Sequence, residues 1–386
     1  MKEKLLVVFL IAISAFPPLS TDMYLPSLPA VVAEFGATDA QANFTLIAFF
    51  IAFGASTLVW GSLSDKYGRR PVLIVGLVLY FAGSLLCALS GSIGAMSGAR
   101  VLQGIGGGSG MAVASAIVKD VFKGRQQESI LAVIQSLIMI CPIIAPLIGS
   151  AIIGFVDWRG VFYAQTLLGV AVLIGALLYK ETIHEKSGVG ILRAMGRLGS
   201  LMRHGRFATM IVLFSIPSIC IMAYVSASSF IYQDGFGLGH FAYSLFFGLG
   251  AAGAIVGPAL YMAINGKLRR RTIVTFCFAA MLALGVLAYA IGELSPWHFG
   301  ILMFLLSMTS SATRPPGSYL TLNFHDGDAG SASALMSSGS FFMGSLGMAL
   351  VTLSPRYVLV IGVCAAAVGL TGLLLWRAVS RRYEVG

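Results

Sequence analysis

The sequence predicts an all-α membrane protein: twelve transmembrane helices in two pseudo-symmetric six-helix bundles, with both termini in the cytoplasm. Three observations predict it. Of 386 residues, 58% are hydrophobic and only 10% charged, against roughly 25% charged in a soluble domain, and the mean hydropathy is +0.90. The apolar residues form continuous runs of the ~20 residues that a ~30 Å hydrocarbon core requires, without the period-two alternation of barrel strands. Finally, Gly61-Ser62-Leu63-Ser64-Asp65-Lys66-Tyr67-Gly68-Arg69-Arg70-Pro71 places two glycines, a carboxylate and three cations between two such runs. A fainter copy, Asn265-Gly266-Lys267-Leu268-Arg269-Arg270-Arg271, recurs near half a chain length later, the mark of a duplicated architecture.

In order, the runs place spans at 5–28, 41–62, 71–91, 94–116, 128–154 and 160–180, then at 207–231, 242–264, 272–292, 297–322, 330–352 and 356–377. The first follows Lys2 and Lys4 and mimics a secretory signal. Pro17-Pro18 and the lack of a small-x-small site argue against cleavage, and losing it would leave an odd number of spans. The second and third flank the Gly61–Pro71 turn. The fourth carries Arg100 and the run Gly104-Ile105-Gly106-Gly107-Gly108-Ser109-Gly110. That run follows no soluble strand, so it reads as small-xxx-small helix packing rather than a dinucleotide fingerprint. The fifth holds Pro142, Pro146 and Gly149, which free carbonyls and bend a helix that must rock. After the sixth comes the longest loop, Glu181 to Arg206, with Lys186, Arg193, Arg197 and Arg203. It separates a half at 1–180 from a half at 207–386, either lying on the anionic leaflet or crossing solvent as a linker.

Charge fixes orientation. Of 25 Lys and Arg, Arg100 and Arg314 fall inside spans, Arg159 and Arg356 on one set of loops, and all others on the opposite set with both termini. The positive-inside rule makes that set cytoplasmic. The net charge of +10 therefore implies a lipid bilayer and no nucleic acid. The five cysteines lie far apart within apolar runs and show no metal-ligand or disulfide spacing. No P-loop, metal motif, cofactor motif or nucleophile–base constellation is present, which excludes an ATP-driven pump and a membrane-embedded enzyme. A receptor is excluded by the absence of an output domain.

Few side chains remain to carry chemistry. Asp22 is the lone acid away from the ends of the spans, and a carboxylate at membrane depth is costly; it is either a proton site or the interfacial mark of a helix end at Pro26. Arg100, seven residues into the fourth span, needs a counter-charge or a wet cavity unless it snorkels; Asp22 is the counter-charge expected. Gln103 lies one turn on. Arg314, with Pro315-Pro316, either contacts a substrate or reaches the cytoplasmic headgroups. Roughly 200 residues beyond Asp22 lie Ala223 and Tyr224, so the second half lacks an equivalent acid.

Together these residues resemble the major facilitator superfamily. Gly61-x-Leu63-x-Asp65-x-x-Gly68-Arg69-Arg70 is similar to its loop 2–3 signature, Arg100 with Gly104 to the fourth-helix arginine signature of proton-coupled members, and Pro142 to Gly149 to the antiporter signature. Four stretches are similar to the bicyclomycin-resistance (Bcr/CflA-type) drug–proton antiporters: Thr21–Pro26, Asp157–Arg159, Tyr224–Ser228 and Ala329–Leu335. The resemblance implies a bacterial inner-membrane exporter, monomeric and free of cofactors and metals, that exchanges a small, partly apolar drug or metabolite for protons by alternating access. The alternative is a proton symporter or a facilitative uptake carrier. In this reading Asp22 and Arg100 couple protons through an ion pair. Tyr24, Asn43, Gln103, Gln135, Met139, Tyr224 and Arg314 line the substrate path. Gly61, Asp65, Gly68, Arg69, Arg70, Pro142, Pro146 and Gly149 form conformational gates.

Overall fold

A computed structural model describes residues 3–183, 191–323 and 329–382, and every regular element among them is helical. The chain divides into two compact units, Met1–Arg197 and Leu198–Gly386. Among the described residues ten helices are long and apolar enough to cross a membrane, and a pair bent by 45°, Lys4–Ser14 with Pro18–Phe35, supplies an eleventh.

The expected span at 5–28 is longer and more broken than its hydropathy suggested. It consists of α1 (Glu3–Ser14), α2 (Phe16–Asp22), a 3-10 turn (Leu25–Ser27) and α3 (Leu28–Phe35). Prolines stand in the opening positions of α2, the turn and α3. Without an N–H and with φ fixed, proline fits a helix start and fails in an interior, so each one ends the preceding piece. The chain stops only at Gly36, which takes the left-handed conformation at φ +56°. Asp22 therefore lies well before the end of this span rather than near it, a correction to the sequence expectation.

Helix α4 (Asp39–Tyr67) starts at a capping box: Thr38 accepts from the Gln41 N–H while Gln41 accepts from the Thr38 N–H. It runs straight through Gly61, and α5 (Arg69–Ala88) begins two residues after it ends. The segment expected to be a loop is thus almost wholly helical. Gly68 alone makes the reversal, at φ +114°. Helices α6 (Ile93–Val121), α7 (Gly124–Phe155) and α8 (Arg159–Leu178) complete the first unit. Helix α6 packs between α4 and α5, and α7 keeps 32 residues in one helix despite Pro142 and Pro146. A Cβ on Gly149 would lie 2.1 Å from the Met23 carbonyl oxygen, so only glycine lets α7 cross the first span this closely, at its break.

Residues 184–190, including Lys186, lie outside the described residues. The rest of the basic segment forms α9 (Ile191–Arg203), whose Leu201 is buried with Phe207, Ile211 and Ala332. The second unit repeats the pattern of the first. Its first span breaks between α10 (Gly205–Ser215) and α11 (Pro217–Ser229) and ends in a π-helical turn, Phe230–Gly235. Then come α12 (His240–Ile264), α13 (Arg270–Ile291), α14 (Pro296–Ala312), α15 (Arg314–Asn323), α16 (Ala329–Val351) and α17 (Tyr357–Arg382). In this unit Gly347 of α16 meets the Ile219 carbonyl oxygen at the same virtual 2.1 Å. The expected span at 297–322 is likewise broken. Thr313 separates a 17-residue helix from a 10-residue one, because Pro315 and Pro316 supply no N–H to continue the ladder.

Candidate functional site

The break after α2 creates the site. At the tightened turn the Tyr24 N–H bonds to the Thr21 carbonyl at 3.1 Å, an i−3 bond, which leaves the Ser20 carbonyl without its helical donor. Arg100 of α6 takes that place: its Nη1 donates to the Ser20 oxygen at 2.9 Å and to Gln103 Oε1 at 2.6 Å. Gln103 Nε2 donates to Gln165 Oε1 at 2.7 Å and to Ser84 Oγ at 2.8 Å. Gln165 Nε2 returns to the Ser20 oxygen at 3.4 Å. The result is a closed hydrogen-bonded ring joining α2, α6 and α8, with every side chain in it fully buried. Ser20 Oγ also bonds to the Tyr80 hydroxyl at 2.7 Å, which ties the ring to α5.

Above this ring the guanidinium is enclosed by aromatic faces, 4.6 Å from the Phe49 centroid, 5.0 Å from Tyr24 and 5.8 Å from Phe162. A desolvated cation–π contact contributes about 2 kcal/mol, so three of them offset part of the cost of a buried cation. They do not satisfy its hydrogens: Arg100 Nε and Nη2 have no acceptor. The expected ion pair is absent. Among the described residues no salt bridge or hydrogen bond joins Asp22 to Arg100. The reason is angular, since residues i and i+2 of a helix do not share a face. The Ser20 carbonyl meets α6, whereas Asp22, also buried, faces another way.

The expected substrate-lining residues divide. Tyr24 is fully buried beneath Arg100, with its hydroxyl 3.2 Å from Thr45 Oγ1. Asn43 is fully buried with neither amide atom hydrogen-bonded. Gln103 is committed to the ring. Gln135 and Met139 are exposed one turn apart on α7. Tyr224, in the other unit, is packed between Phe247 at 5.8 Å and Phe299 at 5.9 Å. Arg314 is exposed. The structure brings Tyr24, Arg100 and Gln103 together.

The expected gate at Asp65 is also rearranged. Arg69 is buried and bridges Asp65, one turn back, and Asp120 of α6 at 2.8 Å. Glu181 makes a charge–dipole contact at the start of α5, where its carboxylate accepts from the Arg69 and Arg70 N–H groups at 3.0 and 3.1 Å. Partial burial pushes the Glu181 carboxyl upward, but bonds from the Ile183, Arg70, Arg69 and Thr182 amides outweigh it and hold the group below its ordinary value. A Cβ on Gly68 would strike Glu181 Oε2 at 2.5 Å, a second reason for glycine there. At the opposite end of the unit Glu34 is held by Trp158 Nε1 and Arg159 Nη1, each at 2.5 Å, tying α3 to the start of α8.

Sequence reasoning missed Gln165, Ser20, Asp120, Glu181 and Glu34. Gln165 had a signal, as a lone amide in an otherwise apolar span. The others are loop or helix-end residues whose partners lie 50 or more positions away, beyond any local pattern.

A polytopic helical membrane protein with two repeated units and polar groups buried within its spans defines the class of transporters. Residues 8–348 match the Major Facilitator Superfamily, and the chain belongs to that family. It is a transporter and not an enzyme. It is 29% identical over 387 residues to the MFS-type transporter YdgK of Bacillus subtilis, covering 97% of this chain and 95% of that protein. It is 30% identical over 229 residues to the multidrug resistance protein MdtL of Klebsiella pneumoniae, a match spanning 59% of this chain and 58% of that protein. The fold is similar to a peptide transporter POT (TM-score 0.77, 14% identity, 98% of this chain and 95% of that chain). It is also similar to a D-xylose-proton symporter (TM-score 0.72, 13% identity, 96% and 97%).

Proposed function

We propose that this chain is a proton-coupled antiporter of the bacterial inner membrane that exports small, partly apolar molecules in exchange for protons. Its place in the family, and the multidrug name carried by a relative, support export of such molecules. Asp22 carries the coupling: it is buried and belongs to the first span, and among the described residues it has neither a cation nor a hydrogen-bond donor as partner. A carboxylate at membrane depth with no partner is costly, and a proton gained on one side and lost on the other is what coupling requires. Each proton entering releases about 2.3 kcal/mol per 100 mV of membrane potential.

The absence of an Asp22–Arg100 pair changes how protonation acts. Arg100 and Gln165 hold the Ser20 carbonyl two residues away, so a change at Asp22 reaches them through the backbone of the break. Met23, next in the chain, is where α7 crosses through Gly149. The coupling element is therefore the broken helix, and Arg100 is the fixed post against which it moves. The apolar character of the surrounding side chains suits apolar cargo, with Asn43 as a polar group able to orient it.

The test is uptake of a fluorescent, partly apolar drug into everted vesicles, with an imposed proton gradient and with or without a protonophore. Wild type is expected to accumulate drug only while the gradient stands. Asp22→Asn is expected to insert and fold, yet to lose gradient-driven accumulation while retaining counterflow. Uphill accumulation by Asp22→Asn at the wild-type rate would falsify the assignment, and gradient-driven movement in the opposite direction would establish symport.

A further inference from the structure

Away from the terminal residues of the expected spans, the fixed charges are one acid, Asp22, and two cations, Arg100 and Arg314. Arg100 is accounted for by its ring and its aromatic enclosure. Arg314 is not. It follows the break at Thr313 and opens α15, and Thr313 turns its own hydroxyl inward to the Ser310 carbonyl at 2.6 Å. Among the described residues no carboxylate, carbonyl or aromatic ring meets the Arg314 guanidinium.

Two positions for such a side chain are physically sensible: snorkelled to lipid headgroups, or facing a water-filled recess in the protein. Arg314 stands nine residues before the end of α15, on the order of 14 Å of helix, which is more than a side chain spans. Its side chain is nonetheless solvent-accessible. The recess is the reading that its depth and its accessibility leave.

A guanidinium presented without a partner selects planar oxyanions, because its fork of N–H donors matches a carboxylate bidentately. We infer that Arg314 binds an acidic group of the transported molecule, so that the cargo is an apolar body bearing a carboxylate or comparable oxyanion. This deepens the transport reading and rests on it. It also runs against cationic drugs, which an unpaired arginine repels.

The inference is tested by binding, which is independent of proton coupling. Failure of gradient-driven export would leave the result intact, and the reverse also holds. Full-length protein in detergent is titrated with 2-naphthoate, 2-naphthamide and 2-naphthylmethylammonium, near-matched in shape and differing in charge, and its melting temperature is followed. Only the carboxylate is expected to raise it. Arg314→Gln is expected to weaken that binding at least tenfold, with Arg314→Lys between the two, and both variants should melt near wild type without ligand because Arg314 makes no ion pair or ring contact among the described residues. Repeating the titration in micelles doped with phosphatidylglycerol separates cargo from headgroup: loss of the naphthoate shift there would reassign the arginine to lipid and overturn the proposal. Equal shifts from the amide or the ammonium, no shift from naphthoate in wild type, or undiminished naphthoate binding by Arg314→Gln would overturn it too.

Discussion

At the scale of single residues, Arg100 shows how a cation survives in a membrane span without an acid beside it. Its Nη1 is shared between a backbone carbonyl and an amide oxygen, and its face is covered by Phe49, Tyr24 and Phe162. Geometry matters here as much as charge. Lysine offers a compact point charge that cannot lie flat between rings while reaching Ser20 and Gln103 together. Arg100→Lys is therefore expected to lose efflux despite conserving charge. Its stability should fall by about 1.5–3 kcal/mol, the worth of a hydrogen bond to a charged group, as read by unfolding in detergent and vesicle uptake. Wild-type transport by Arg100→Lys would show that charge alone is what the position supplies.

At the scale of elements, the two ends of the first unit are fastened by carboxylates of different kinds. Glu34 clasps α3 to α8 through Trp158 and Arg159, and Glu181 caps α5 while Asp65 and Asp120 share Arg69. Glu181 gives a pH signature with a definite sign. Its carboxyl is held below the ordinary value of 4.5 in the folded protein. Its contribution to stability is therefore complete above that value and disappears as pH falls through the lowered folded one. Glu181→Gln is expected to melt on the order of 1–2 °C below wild type at pH 7, a gap that closes under more acidic conditions. A gap that widens on acidification would mean the carboxylate does not cap the helix in its charged form.

At the scale of the whole molecule, the duplication seen in the basic loops reaches into the broken helices. Each unit opens with a span interrupted at proline, and in each a glycine from a later helix, Gly149 or Gly347, meets a carbonyl of that span. The described helices provide ten spans and a bent eleventh, and the interrupted pair α14 and α15 stands where a twelfth is expected. An even count would place both termini on one side, and the distribution of Lys and Arg predicts that side to be cytoplasmic. A C-terminal fluorescent-protein fusion is then expected to glow and a C-terminal alkaline phosphatase fusion to be inactive, while phosphatase joined after Asp157 is active. The converse pattern would invert the topology.

The hydropathy runs determined the fold class because the bilayer rewards any helix of sufficient apolar length, whatever it packs against. The same scarcity of charge made Asp22, Arg100 and Arg314 conspicuous without a structure, and the Gly61–Pro71 segment was legible as a turn between spans. Hydropathy said nothing of the breaks at Ala15, Tyr24 and Thr313, since apolar runs continue across them. Only tertiary structure decided what the conspicuous residues do. Ser20 and Arg100, Gln103 and Gln165, and Arg69 and Glu181 meet from positions far apart in the chain, and which face of a helix turns toward which neighbour is set by close packing at residues such as Gly149. Composition can therefore state that an arginine must be compensated. It cannot say that a carbonyl released by a broken helix, rather than the nearest acid in the sequence, does the compensating.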